Sequence, residues 1–150
     1  MSYVVYDKLT TNPLDQDINI YEPKLIERVK LQLFKSLDPA GTFTLTILDS
    51  GLNILGTKSQ TIAEMQAAGS AALSEDYYHG FISFIFDDPI LLDYGVYSLL
   101  LSSSGYTPTA TSFIGWMRDW DYKVTNNSGT TASDPSKQPL ANKIFTYRRS

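Results

Sequence analysis

The chain has 150 residues, twelve Lys and Arg against sixteen Asp and Glu, a formal net charge of -4 and no cysteine. The acidic balance argues against a dedicated nucleic-acid binder, because neutralising phosphate needs clustered Lys and Arg. The missing cysteine excludes disulfides, thiolate metal centres and thiol nucleophiles, and the length fits one domain with one core. Ten Tyr, seven Phe and two Trp are a heavy aromatic load, which favours pleated sheets or interfaces.

In chain order, YVVY at 3–6 reads as a short strand, but the polar stretch that follows contains two prolines and holds no period, so 1–24 is expected to be an extended N-terminal arm. The opening MSYVVYDKLTTNPLDQD lacks the basic start and apolar run of a secretory signal. No stretch approaches the roughly 18 apolar residues of a membrane span. Membrane insertion is therefore not expected; a protein made and kept soluble in the cytosol is, and release by lysis inside a larger particle would leave the same record.

From 25 to 34, Val29, Leu31 and Leu33 alternate with Lys30 and Gln32, the two-residue period of a half-buried strand. TFTLTIL at 42–48 repeats it, and Leu37–Gly41 between them supplies turn chemistry. Asp49–Asn53 reads as a tight turn with Gly51 providing the positive φ, leading to a strand over 54–60. Thr61 and Glu64 match a helix capping box, which predicts a short helix over 62–68 before Gly69.

Residues 77–101 are two aromatic and branched-aliphatic runs around Asp87-Asp88-Pro89, and are expected to form strands at 77–87 and 94–102 with the Asp-Asp-Pro as the turn. Another strand is expected over 111–124, then a long polar loop over 125–142 and a last strand at 143–149. About eight short strands with one brief helix predict an all-β fold, an antiparallel β-sandwich filling 25–150.

No cofactor-binding or catalytic motif emerges. His79 is the only histidine, so a catalytic triad or a multi-histidine metal site would have to converge on one ring. Asp119 and Asp121, two apart on an expected strand, share a face without an indicated cleft. A calcium site would need a denser Asp/Asn/Gly pattern than this chain has. Asn126-Asn127-Ser128 fits a glycosylation sequon with no visible secretory route, and the glycines follow no phosphate-cradling spacing. The group with a binding reading is Trp116, Trp120, Tyr122 and Asp119, with Tyr106 and Arg118 nearby: aromatic faces beside polar groups can stack on sugar C–H faces and bind hydroxyls. The alternative for Trp116 is core packing, since Phe113, Ile114 and Met117 surround it in sequence.

A short helix, an aromatic strand, a Pro turn and Leu-x-x-Gly-x-Tyr-x-Leu-x-Leu follow one another here as Tyr77, Phe81, Phe84, Phe86, Pro89, Leu92, Gly95, Tyr97, Leu99 and Leu101, then Ile114, Gly115, Trp116 and Asp119. Over about 42–122 this order resembles jelly-roll or carbohydrate-binding-like sandwich modules of tailed-bacteriophage virion proteins and bacterial surface proteins. The resemblance implies a non-catalytic virion component, either capsid-decorating or associated with tail or fibre, that is homo-oligomeric and partnered by other virion proteins. A different class of function is a carbohydrate-binding module using Trp116, Trp120 and Tyr122 on a surface glycan. A glycan hydrolase on the same sandwich would need an acid pair in a defined context, which the sequence does not offer.

Overall fold

The structure, a computed structural model, describes residues 6–67, 77–118 and 142–146, with side-chain surroundings for 6–65 and 80–118. Nine strands and one short helix follow in order: β1 Tyr6–Lys8, β2 Leu14–Ile20, β3 Lys24–Ser36, β4 Thr42–Leu48, β5 Ile54–Thr61, α1 Ile62–Ala67, β6 Tyr77–Leu92, β7 Gly95–Ser104, β8 Phe113–Met117 and β9 Asn142–Thr146. One antiparallel sheet runs β1-β8-β3-β6, with β9 also on β3; the other runs β2-β7-β4-β5.

The pairings β1–β8, β2–β7, β3–β6 and β4–β5 are those of one long antiparallel ribbon folded back on itself. The β3–β8 and β4–β7 pairings then roll that ribbon into two layers. This is the strand order of a jelly roll, and the expected all-β sandwich is the fold. Inward residues of both sheets form one core: Val29, Leu31, Leu33, Ile82, Phe84, Ile114 and Trp116 from the first, Phe43, Leu45, Ile47, Leu99 and Leu101 from the second. The alternation of TFTLTIL is realised as expected, with Phe43, Leu45 and Ile47 fully buried.

Three boundaries differ from the sequence expectation. Residues 6–8 and 14–20, expected in an extended N-terminal arm outside the sandwich domain, are strands of the two sheets. In β2, Ile18 and Ile20 turn inward while Asp15, Asp17 and Asn19 face water. Asp87-Asp88-Pro89 is no turn: β6 continues to Leu92, and the chain reverses at Asp93-Tyr94. The extra residues form a bulge, since Ile26 pairs with Ile90 while Arg28 pairs with Ile85. Proline is tolerated there because β6 is an edge strand, and its missing N–H removes no ladder bond. Of the strand expected over 111–124, Phe113–Met117 is strand and 111–112 are not; residues 119–124 and the 125–142 loop up to 141 lie outside the described residues.

The registers of β8 and β9 are informative. Trp116 stands opposite Leu33 and Asn142 opposite Leu31, both strands antiparallel to β3 on the side away from β6. They are two halves of one strand line, and 118–141 is inserted between adjacent positions of it. Joining Met117 directly to Asn142 is expected to preserve the sandwich. The change removes the ion pair between Arg118 and Asp7, a part-exposed pair contributing at most about 1 kcal/mol. A cooperative transition in circular dichroism should persist, and its loss would refute the register.

Candidate functional site

Trp116, the centre of the expected aromatic platform, is fully buried and belongs to the core cluster. Its ring cannot offer a face to a sugar, which corrects its assignment to a glycan site. The cause is strand parity: Trp116 pairs with Leu33, whose side chain points into the sandwich, so both go inward. Asp119, Trp120 and Tyr122, as well as Asp121 and the sequon, lie outside the described residues. Tyr106 is also buried, its hydroxyl donating to Leu9 O at 2.8 Å and accepting from Ile114 N at 2.9 Å. Arg118 is committed to Asp7, with Nε donating to Oδ1 at 3.2 Å. His79 stands on β6 opposite Phe34, with its side chain outside the described set.

On the side where β5 meets β6 the layers are tied together. Gln60 Nε2 donates to Ser83 O at 2.8 Å, and Lys58 Nζ reaches Asp87 Oδ1 at 3.0 Å. The β6 bulge leaves a shallow cleft there of about 280 Å³, lined by Leu55, Gly56, Thr57 and Phe86–Ile90. Asp87, neutralised by Lys58, is its only carboxylate with a charged partner. Among the described residues no three His, Asp or Glu side chains gather closely enough to hold a metal, and no helix is long and apolar enough to cross a membrane.

Sequence reasoning missed the most distinctive surface. The turns β2–β3, β4–β5 and β6–β7 all lie at one end of the sandwich, because Ile20 pairs with Gly95, Lys24 with Leu92 and Leu48 with Ser98. Around that end the structure exposes Tyr21 (78%), Leu52 (74%), Tyr94 (69%), Ile54 (67%) and Leu91 (66%), with Leu25 and Leu55 partly exposed near them and Val96 on the outer face of the second sheet. Leu25 and Leu91 are direct cross-strand partners on the outer face. Monomeric proteins rarely show contiguous apolar patches beyond a few hundred Å². A signal was present in the sequence: Tyr21, Leu52 and Tyr94 occupy turns, where polar residues are the norm.

Leu52 is held there against its own preference. Its φ is +64°, the left-handed region that a non-glycine residue enters at a cost of about 1–2 kcal/mol. The sequence assigned that conformation to Gly51; the structure gives it to Leu52, with Gly51 on the negative side. Asp49 builds the turn: its Oδ1 accepts from Gly51 N and Asn53 N at 2.9 Å each, and Leu52 N donates to Asp49 O at 3.0 Å. These bonds, those from Asn53 first, hold the Asp49 carboxyl below its ordinary value.

Compared with models of known protein families the chain matches none, and no curated protein matches it in sequence.

Proposed function

We propose that this chain is a non-catalytic structural component of a bacteriophage virion, a capsid-decorating or tail- or fibre-associated protein that works through protein–protein contact. The observation that carries the proposal is the apolar end of the sandwich, where Tyr21, Leu52, Leu91 and Tyr94 are exposed. Apolar surface on that scale is stabilising only when covered. Support comes also from the jelly-roll strand order, an architecture used by viral capsid domains and by lectins alike, and from the resemblance of 42–122 to phage sandwich modules.

The carbohydrate-binding reading is the weaker one, because burial of Trp116 removes the middle of its platform. The two readings separate in a gradient. In lysates of infected cells that encode the chain, it should band with particles. If the chain stays at the top of the gradient and its tryptophan fluorescence shifts on titration with glycans, the structural role is wrong.

A further inference from the structure

We infer that the occupant of the apolar end is a second copy of this chain, packed end to end about a two-fold axis. The inference rests on the proposed role in assembly and names the partner. Its first ground is area. At roughly 150–200 Å² for a large side chain in the open, the exposed fractions of Tyr21, Leu25, Leu52, Ile54, Leu55, Leu91 and Tyr94 amount to on the order of 700 Å². That is about what each partner contributes to a stable interface of standard size.

The second ground is charge. The rim carries Glu22 and Asp93, exposed, and Lys24, part-buried, and among the described residues none of the three has an ion-pair partner within the chain. An isologous interface sets one patch against itself, so a patch bearing both signs at its rim can satisfy each with the other copy's opposite. Lys24 of one copy would then meet Glu22 or Asp93 of the other.

The third ground is that pairing along the β2 edge is disfavoured. Among the described residues β2 is the outer strand of its sheet on the side away from β5, and it shows Asp15 and Asp17 to solvent. Two copies pairing antiparallel along it would bring like charges together. The display of Leu52 fits the end-on arrangement, since glycine would close the same turn at φ +64° without the backbone cost.

Sedimentation velocity of the full chain between about 1 and 200 µM tests this, interfaces of such size having dissociation constants from micromolar downward. A monomer–dimer equilibrium is expected. Leu91→Lys should weaken it at least about tenfold, since it puts a charge where an apolar side chain is to be covered. Leu52→Gly should weaken it too while leaving the monomer as stable or more so, because glycine relieves the left-handed backbone; a merely structural role for Leu52 would not separate these readouts. Lys24→Glu should weaken the dimer, and Lys24→Glu combined with Glu22→Lys should restore it. A chain monomeric at every concentration, or a dimer indifferent to all these changes, overturns the inference. A monomer that still bands with particles would overturn the second copy and leave the structural role standing; a dimer never found with particles would do the reverse.

Discussion

Trp116→Ala is expected to lower the unfolding free energy by about 3–5 kcal/mol, the range for removing a large buried aromatic and leaving a cavity. Trp116 lies on β8 between two neighbours, pairing with Asp7 on β1 and Leu33 on β3, and its side chain is completely shielded. Strands hydrogen-bonded on both sides cannot close the void by sliding, because a one-residue slip would turn Ile114 and Trp116 outward. Against a total stability of about 5–15 kcal/mol, the loss would bring the variant near its unfolding threshold. Trp116→Phe, which keeps most of the apolar volume, should retain over half of what alanine loses. Urea titration followed by far-ultraviolet circular dichroism measures both, with the midpoint moving and the slope constant. A loss for alanine below about 1 kcal/mol would mean that the ring is not packed as the register requires. The same variant separates core from glycan platform: a platform tryptophan would give up ligand binding with the fold unharmed.

How much was readable in advance follows the same physics of strand parity. TFTLTIL was legible because every second residue is large and apolar and every intervening one is threonine, so its buried face and limits agree with the structure. LDQDINI has an equally regular alternation, but its outward positions are Asp, Asp and Asn, residues depleted from strands, and the pattern passed for an irregular arm. Asp87-Asp88-Pro89 misled for the opposite reason. Proline punctuates chains in general, but the edge position of β6 that makes it harmless is a property of the sheet and not of the segment. Pairings such as Tyr6 with Met117 join segments far apart in the chain, and no local period encodes them. The candidate site divides in the same way. That Trp116 and Leu33 share the inner face depends on pairing, and that Tyr21, Leu52 and Tyr94 meet at one end depends on which turns the roll brings together.

Tyr106 ties that long-range order together, and Tyr106→Ala is expected to be at least as damaging as the tryptophan change, at about 4 kcal/mol or more. Its hydroxyl bridges the β1–β2 connection at Leu9 O and the start of β8 at Ile114 N, while its ring packs edge-on to Phe43 across the core, centroids 5.1 Å apart. Gly41, at φ +135°, leaves room for it: a Cβ there would stand 2.8 Å from Tyr106 Cβ. Tyr106→Phe isolates the polar part. It orphans a buried carbonyl and a buried N–H at once, and should lower stability by about 1–3 kcal/mol with the ring contact intact. The hydroxyl also gives alkaline behaviour a direction. Burial raises its pKa above the ordinary 10.0, and the bond from the Ile114 backbone opposes that rise only in part. A group whose pKa is higher in the folded state contributes stability that is complete below the unfolded value, and that is lost as pH rises through the folded one. Stability should therefore decline above pH 10 more steeply in the natural chain than in Tyr106→Phe, whose denaturation midpoint is lower at neutral pH. The two curves should converge as the solution becomes more alkaline. Parallel curves from pH 8 to 12 would show that the phenol at 106 titrates alike in the folded and unfolded chains, and that its burial does not favour the protonated form.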